Sequence, residues 1–408
     1  MNILIITTRL PYPMVSGAKI RAYHLLRSLA ENHKVTLISF YGSTNEEKHF
    51  DVYQSLGVKL VPVLNPGIDR QVGLRELCRS LVSGLPLTVS KYLHEGMKNA
   101  IADNISSADI LHCEHMHMAS YLLNNDKPKV LDAHNVETQI AERYSRHETN
   151  VLKKLILSLN SQAMRRYEKN VCRAFDLVLS VSPQDQQMLK EEFSARCVML
   201  LENGVDVEYF ADGKTSPAAE PKKLVFVGAM DWLPNSDGIT YFIKDILPLI
   251  RRHFPDIRLD IVGKDPPEDV RQFSDIDGIR VTGTVDDVRP FVYDSHVYVV
   301  PLRFGGGSRL KILEAFSLGI PVVSTSLGCE GIECSYGKDL LVADDPADFA
   351  ASVIRLLKYP ETCSNLTTNA RKLAVNTYSW KVICQKLLSY YGELETRSKG
   401  LKNSDKTP

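Results

Sequence analysis

The stretch that decides the fold is VPLRFGGGSRLKILEAFSLGIPVVSTS, which covers residues 300–326. Its first residue ends the run VYVV at residues 297–300, whose β-branched and aromatic side chains favour a buried strand. Three consecutive glycines follow, and a backbone without Cβ atoms lets a ligand approach closely. Leu310, Leu313 and Phe316 then repeat at helical spacing until a glycine ends the run. The stretch therefore predicts a strand, a glycine loop, a helix and a second strand.

The start of this predicted helix has the features of an anion site. Free N–H groups at a helix N-terminus point towards a ligand, and the helix dipole adds positive potential there. Ser308 suits the N-cap position, and Arg303, Arg309 and Lys311 add three positive charges. We therefore expect a diphosphate at this loop. The alternative is an ordinary tight turn of a parallel sheet with basic residues on its surface.

The sequence contains neither a Walker A motif nor a GxGxxG fingerprint, which argues against a P-loop NTPase or an ordinary dinucleotide oxidoreductase. Lysine and arginine number 49 and so do aspartate and glutamate, and no RNA-binding signature occurs. We therefore expect no nucleic-acid partner. The eight cysteines are scattered without a CxxC pair, which indicates a reducing compartment.

Three motifs carry a resemblance to a known family. They are GGGSRLKILEAFSLGIPVVST in the stretch above, VFVGAMDWLPN upstream of it, and ENGVDVEYF before that. Together they resemble the family 4 retaining glycosyltransferases of the GT-B fold. More narrowly, they resemble the bacterial sugar transferases whose donor loop reads GGGxRLKILEA. The resemblance extends over nearly the whole chain and implies an α/β protein with two doubly wound Rossmann-like domains that face each other across a cleft.

The resemblance and the strand pattern together divide the chain into four parts. We expect an acceptor-side Rossmann-like domain over 1–205 and a nucleotide-sugar-binding Rossmann-like domain over 206–378. A helix over 379–395 would pack back on the first domain, and 396–408 would form a disordered tail. The N-terminus, MNILIITT, has no basic region before its apolar run, so it predicts a first strand rather than a signal peptide. We expect a cytoplasmic protein, with peripheral contact at the inner membrane face as an open alternative.

The donor site implied by the resemblance departs from the family pattern in two places. Many members carry an arginine and a lysine in the loop after the first strand of the second domain, where this chain has Ala229 or Met230 and the region 235–236. We therefore assign the diphosphate to Arg303 and Lys311. The family's paired glutamates stand eight positions apart; only the second is present, and we expect it to bind the ribose hydroxyls. The expected donor-binding residues are Gly17, Gly228, Gly306, Gly307, Ser308, Arg309 and Glu314, with Gly306 in place of the first glutamate.

The N-terminal half offers one catalytic candidate, His134, in the sequence DAHNVE. A residue just past the carboxyl end of a parallel strand faces the crevice where ligands bind. The resemblance implies that this histidine contacts the transferred sugar and supports the charge that develops on it. The alternative is a capping histidine at the edge of the core. Gly17 opens a helix after the first strand and would lie beside the donor phosphates or the acceptor, unless it is a structural turn glycine.

The segment HCEHMH contains several residue types that bind metals. A zinc site requires three or four converging ligands, usually from two segments, and the sequence offers no matching second segment. We therefore predict no metal. The candidate ligands are His112, Cys113, Glu114, His115 and His117.

Two helical regions combine basic and apolar residues. The region 70–105 mixes arginines with leucines, which would suit a lipid-linked acceptor at a membrane or an ordinary amphipathic helix pair. In the basic region 138–173, we expect four apolar residues to form one buried side, with membrane contact or a solvated basic face on the other. These four residues are Leu152, Leu155, Ile156 and Leu159.

The sequence thus predicts a retaining glycosyltransferase that moves a sugar from a nucleoside-diphosphate sugar to a glycan, lipid-linked or other acceptor in polysaccharide or glycoconjugate biosynthesis. The catalytic residues would be His134, Arg303 and Lys311, and the nucleotide-sugar is a co-substrate, so no cofactor is expected. One alternative is a GT-B-fold sugar-nucleotide 2-epimerase. Another is a non-catalytic sugar-nucleotide-binding subunit, which the glycine at position 306 suggests. The sequence leaves the sugar, the base and the acceptor open.

Overall fold

The computed structural model describes residues 1–70, 73–211, 221–305 and 310–404. The chain forms two compact units. One consists of Met1–Glu202 with Cys384–Pro408, and the other of Asn203–Ile383. Each unit has its own parallel β-sheet and its own apolar core. The prediction of an α/β protein with two Rossmann-like sheets is confirmed.

In its described residues, the first unit has a sheet of seven parallel strands in the spatial order β3-β2-β1-β4-β5-β6-β7. The inner strands are continuous apolar runs because helices cover both faces of such a sheet. The strands are β1 (Asn2–Thr7), β2 (Lys34–Tyr41), β3 (Lys59–Leu64), β4 (Ile110–Glu114), β5 (Lys129–Ala133), β6 (Leu177–Ser180) and β7 (Val198–Leu200).

Several helices of the first unit begin at sequence signals for an N-cap. The side chains of Ser16, Asn150 and Ser182 each accept a hydrogen bond from a backbone N–H in the first turn. The helices are α1 (Gly17–Asn32), α2 (Phe50–Ser55), α3 (Leu74–Ser83), α4 (Leu87–Ser90), α5 (Glu95–Ile105), α6 (Glu137–His147), α7 (Val151–Ala174) and α8 (Pro183–Glu191).

The second unit has six parallel strands in its described residues, in the order β10-β9-β8-β11-β12-β13. The strands are β8 (Lys223–Val227), β9 (Arg258–Val262), β10 (Ile279–Gly283), β11 (Val297–Val300), β12 (Val322–Ser324) and β13 (Leu341–Val342). Its helices are α9 (Leu233–Tyr241), α10 (Leu247–Arg251), α11 (Glu268–Arg271), α12 (Arg289–Tyr293), α13 (Leu310–Leu318), α14 (Pro346–Lys358) and α15 (Pro360–Thr377). The last helix, α16 (Trp380–Ser404), begins in the second unit and belongs to the first unit from Cys384 onwards.

The strand order reverses at one place in each sheet, between β1 and β4 in the first unit and between β8 and β11 in the second. In doubly wound sheets, ligands bind at such switch points, beside the carboxyl ends of the strands. The stretch 300–326 lies at the second switch point. It forms the end of β11, then α13 and β12, as the sequence predicts for its described residues.

Two expectations from the sequence are wrong. Helix α16 runs through Ser404, so the tail predicted to be disordered from 396 is helical up to that residue. Once a helix is nucleated, each further residue adds a hydrogen bond, and a single glycine costs only about 1 kcal/mol. In α7, Leu152, Leu155 and Leu159 do not form a buried side but are exposed to solvent. The core-facing side of α7 lies further along the helix, at Met164 and Val171.

Within the described residues, none of the helices combines the length and apolar character needed to cross a lipid bilayer.

Candidate functional site

Four ionisable side chains meet at the carboxyl ends of β4 and β5 in the first unit. Glu114 is the last residue of β4, Asp132 lies near the end of β5, and His134 follows that strand directly. Arg21 reaches the same place from the buried side of α1. The position of His134 at this sheet edge agrees with the one expected from the sequence.

Arg21 and Asp132 form a buried, bidentate ion pair. Arg21 Nε donates to Asp132 Oδ2 at 2.8 Å, and Nη2 donates to Oδ1 at 2.7 Å. Nη1 donates to the carbonyl oxygen of Glu202 at 3.0 Å. Burial of two charges is costly, so excellent geometry and further hydrogen bonds are required to offset the lost hydration. This pair therefore fixes the carboxylate of Asp132 in one orientation.

Glu114 joins two histidines through its two carboxylate oxygens. Its Oε1 lies 2.8 Å from His134 Nε2, and its Oε2 lies 3.2 Å from His112 Nε2. The same nitrogen of His134 is 3.4 Å from Asp132 Oδ2. On the far side, His112 Nδ1 lies 2.5 Å from the hydroxyl of Tyr391 on α16. A continuous hydrogen-bonded chain therefore runs from α16 through the sheet edge to His134.

The two carboxylates keep His134 protonated. Burial lowers the pKa of His134, but Asp132 and Glu114 outweigh burial and raise that pKa to about 9. Burial and the charge of Asp132 raise the pKa of Glu114, yet its bonds to His134 and His112 bring it down to about 2. Burial likewise raises the pKa of Asp132, while Arg21 and His134 hold it below its ordinary value. At neutral pH the cluster thus contains two cations and two anions.

His115 packs its ring against His134, with ring centroids 3.9 Å apart. Burial and the charge of His134 lower the pKa of His115 to about 3, so this second imidazole is neutral. Its backbone has φ +74°, a left-handed conformation that is uncommon for residues other than glycine. Such strained backbone often accompanies a functional site, and here it turns the chain sharply after β4.

Within the described residues, His112, Glu114 and Asp132 form a group that could hold a metal ion, since their ligand atoms lie within 4.8 Å of one another. Asp132 is the second-segment ligand that the sequence analysis did not find. The donor set is already engaged, however, because Asp132 binds Arg21 and Glu114 binds both histidines. The charges balance without an ion, so the geometry gives no support for a metal here, and its predicted absence stays a prediction.

The second unit places Lys311, on the first turn of α13, against the loop after β8. The Lys311 ammonium donates to Asn235 Oδ1 at 2.8 Å and lies 4.5 Å from the ring centre of Phe226. A Cβ atom built on Gly228 would lie 2.7 Å from Lys311 Nζ and 2.7 Å from Asn235 Nδ2. Glycine is therefore the residue that lets this ammonium reach the backbone at the switch point.

The backbone is tightly packed on the other side of Gly228 as well. A Cβ atom on Gly263, whose φ is +156°, would lie 1.7 Å from the carbonyl oxygen of Gly228. A side chain at Gly263 would force the loop after β9 away from Gly228, whereas one at Gly228 would displace Lys311 and Asn235. The two glycines thus hold the loop against the sheet.

Glu314 follows Lys311 on α13 by one helical turn, so both side chains lie on the same side of the helix. Burial raises the pKa of Glu314 to about 7, although the charge of Lys311 opposes this. Among the residues that the structure describes, none donates a hydrogen bond to the Glu314 carboxylate. A half-buried carboxylate without a protein partner is costly, which is the expected state of a group that binds a ligand hydroxyl.

Arg303 is placed differently from Lys311. Its guanidinium forms a bidentate pair with Asp237, with Nε–Oδ2 at 2.9 Å and Nη2–Oδ1 at 2.6 Å. It also lies 4.8 Å from the ring centre of Tyr241. Half of the Arg303 side chain is exposed. Its charge is thus already neutralised by a carboxylate, which weakens the case for a role on the leaving group.

The structure therefore groups Gly228, Lys311 and Glu314 at the second switch point and His134 with its carboxylates at the first. Gly17 is the first residue of α1 and is exposed. The remaining four expected donor-binding residues lie outside the described residues, so their roles stay predictions. They are Gly306, Gly307, Ser308 and Arg309.

The sequence analysis missed Arg21, Asp132 and Tyr391. Arg21 could have been found, because it stands four and eight positions before Leu25 and Leu29 and so belongs to the buried face of α1. A buried arginine requires a buried carboxylate, and Asp132 interrupts an otherwise apolar strand. Tyr391 has no such signal, because its contact depends on how the last helix returns to the first unit.

Two family profiles match the chain. Residues 15–209 match the profile described as Glycosyltransferase Family 4, and residues 221–359 match the one described as Glycosyl transferases group 1. An uncharacterised 44.6 kDa protein in the cps region of Klebsiella pneumoniae is 24% identical over 396 residues, which cover 94% of this chain and 97% of the relative. A phosphatidyl-myo-inositol mannosyltransferase of Mycolicibacterium smegmatis is 25% identical over 272 residues, which cover 64% of this chain and 68% of the relative.

Solved structures of glycosyltransferases share the fold. Sucrose-phosphate synthase from Thermosynechococcus elongatus superposes with a TM-score of 0.71 at 18% identity, covering 97% of this chain and all of that one. Anabaena HepE in complex with UDP and glucose gives a TM-score of 0.68 at 12% identity, covering 96% of this chain and all of HepE. A trehalose-6-phosphate synthase studied for glycosyl transfer with retention gives 0.65 at 12% identity, covering 97% and 99% of the two chains. The chain is a glycosyltransferase of the family 4 type with the GT-B fold.

Proposed function

We propose that this protein transfers a sugar from a nucleoside-diphosphate sugar to an acceptor with retention of configuration at the anomeric carbon. The observation that carries the proposal is the pairing of Lys311 and Glu314 beside Gly228. One group offers a positive charge for a diphosphate, and the other offers an unpartnered carboxylate for the ribose hydroxyls. The UDP bound to HepE supports a nucleotide-sugar donor, and the retaining trehalose-6-phosphate synthase supports retention.

The difficult step is departure of the diphosphate, during which negative charge grows on the leaving oxygen. A cation fixed in place before the reaction stabilises that charge in the transition state more than in the ground state, and so accelerates the step. We assign the role of this cation to Lys311, since Asn235 and Phe226 hold its ammonium at the switch point. Arg303 contributes less, because Asp237 already binds it.

The protonated state of His134 limits which part of the reaction this side chain can assist. A cation does not stabilise the positive charge that develops on the sugar ring, so support of that charge does not suit His134. An imidazolium is instead a strong hydrogen-bond donor. We assign it to a hydroxyl or phosphate oxygen of the donor, with Glu114 and Asp132 holding its ring in place.

The acceptor in this proposal is a glycan, lipid-linked or other molecule of polysaccharide or glycoconjugate biosynthesis, and the reaction uses no metal. Protein cations take the part that a divalent ion plays in other transferases. Turnover should therefore be unchanged by a chelator such as EDTA. Loss of turnover with EDTA, and recovery with an added divalent cation, would contradict this part of the proposal.

The direct test is to incubate the protein with a panel of nucleotide-sugars and to follow release of the nucleoside diphosphate with and without candidate acceptors. Transfer predicts release that depends on an acceptor, and NMR of the product gives the anomeric configuration. Acceptor-independent conversion of the sugar would indicate an epimerase. Tight binding of a donor without any turnover would indicate a binding subunit.

A further inference from the structure

The outer side of α7 carries an apolar stripe in contact with solvent. Val151, Leu152, Leu155 and Leu159 are each between 57% and 83% exposed. Their spacing of one, four and eight positions places them on one side of a helix with 3.6 residues per turn. Met164 and Val171 lie on the opposite side and pack into the core of the first unit. The stripe therefore faces away from the protein.

A second apolar exposure lies close by in the fold. Leu81 and Val82, at the end of α3, are 77% and 91% exposed. The backbone N–H of Leu87, four positions after α3 ends, donates to Asn160 Oδ1 on α7 at 2.8 Å. The segment that follows α3 is thus bound to α7 through α4. Exposed apolar groups beside polar ones often mark an interaction site in a folded protein.

The surroundings of this apolar surface are positively charged. Helix α7 contains six lysines and arginines, of which Arg165 is paired with Glu142 and Glu192, and one acidic residue, Glu168. The Glu168 carboxylate is buried and accepts the backbone N–H groups of Glu137 and Thr138, so it does not offset the surface charge. By the same helical spacing, Lys154 lies beside the stripe, and Arg166 and Arg173 continue its side of the helix; all three are exposed.

A groove of about 900 Å³ beside α3 extends the positive surface. Its lining includes two acidic residues, Glu76 and Glu95, and Glu95 is paired with Lys98. The basic residues of the lining are Arg70, Arg75, Arg79, Lys91 and Lys98. The basic lining therefore exceeds the acidic lining.

We infer that α7 and the end of α3 dock on the surface of an anionic lipid bilayer. Exposed leucines and valines would enter the boundary between headgroups and acyl chains, and the flanking lysines and arginines would contact lipid phosphates. A second copy of this chain fits the surface less well. A two-fold contact over the stripe would bring the basic residues on that side, Lys154 and Arg166, close to those of the other copy, where like charges repel. The docking surface lies outside the proposed donor and catalytic residues, so this inference can be tested independently of the proposed reaction.

The test is co-sedimentation of the full chain with vesicles of phosphatidylcholine, with and without phosphatidylglycerol. We expect binding to the anionic vesicles and much weaker binding to the neutral ones. The double variant Leu155→Glu/Leu159→Glu should lower partitioning at least about tenfold, because it removes two apolar side chains from the interface. The variant Lys154→Gln/Arg166→Gln changes no apolar group and should lower partitioning about fivefold or more. Added salt should weaken binding of the wild type.

Val375→Glu is the matched control, because Val375 is an exposed apolar residue on α15 of the other unit. It should bind anionic vesicles as the wild type does. Failure of the wild type to bind anionic vesicles would overturn the inference, and so would equal binding by the wild type and by both double variants. A dimer in solution that the leucine variant disperses, without vesicle binding, would show that a second copy occupies this surface instead.

Discussion

The two switch points of this glycosyltransferase differ in whether their carboxylates are bound by other groups of the protein. In the first unit, Arg21, Asp132, Glu114 and His134 bind one another, and two positive charges balance two negative ones. In the second unit, Lys311 donates to the amide oxygen of Asn235, and no described residue donates to the carboxylate of Glu314. A fully paired cluster is suited to holding a side chain in place. A cluster with an unpartnered carboxylate is suited to receiving a ligand.

The difference assigns separate tasks to the two clusters. The second should account for most of the binding and activation of the diphosphate, and the first should set the orientation and protonation of His134. Substitutions in the second cluster should therefore reduce the rate of transfer more than substitutions in the first. The predictions below follow in order of decreasing expected effect.

The largest effect is expected for Lys311→Ala. Loss of the ammonium removes a fixed positive charge from the leaving diphosphate, and the loss of one such group lowers kcat by about 10²- to 10³-fold. Steady-state kinetics with saturating donor measure this, and binding of the bare nucleoside should change little. Lys372→Ala is the matched control, since Lys372 is an exposed lysine on α15 of the same unit. A normal rate in Lys311→Ala would show that the leaving group is stabilised elsewhere.

An intermediate effect is expected for Glu114→Gln, and it should depend on pH. Glu114 is one of two carboxylates that raise the pKa of His134 to about 9. A raised pKa keeps the imidazolium protonated at neutral pH and deprotonates it only as the pH rises through that value. The variant should therefore show a lower pKa for His134, and activity should fall at a lower pH than in the wild type.

NMR of histidine labelled with nitrogen-15 measures this pKa directly, beside a pH profile of kcat/KM. Glu192→Gln is the control, because Glu192 is a half-exposed carboxylate of the same unit that pairs with Arg165. An unchanged His134 titration in Glu114→Gln would mean that Asp132 alone controls the protonation of the imidazole.

The smallest effect is expected for Arg303→Ala. Asp237 neutralises this guanidinium, and half of the side chain is in water, where an ion pair contributes little. Turnover should fall by less than about tenfold, far less than in Lys311→Ala. The reverse order of the two variants would show that Arg303 leaves Asp237 when the donor binds. Asp237→Asn, measured beside it, reports whether release of the arginine raises the rate.

The sequence predicted the fold well because its signals are local. The apolar runs and the glycine loops both act within a few residues of the chain. The place of His134 could also be predicted, because a residue after a parallel strand must lie at the sheet edge. Its protonation could not, since that depends on Glu114 and Asp132 from two different strands.

Interaction partners that lie far apart in the sequence could not be predicted. Asp237 was not identified as the partner of Arg303, because the two residues are 66 positions apart in the sequence. The exposed stripe on α7 was predicted to be buried, because apolar periodicity shows which residues share a side but not whether that side meets protein, lipid or water. Sequence reasoning thus located the edges of the sheets and left open how their charges pair.

The central claim is that Gly228, Lys311 and Glu314 receive the nucleoside diphosphate of the donor. A crystal structure of the protein with a bound nucleoside diphosphate tests it most directly. We predict a ribose hydroxyl within hydrogen-bond distance of the Glu314 carboxylate and a phosphate oxygen within the same reach of Lys311 Nζ. A nucleotide bound elsewhere, with Glu314 still unpartnered, would contradict the claim.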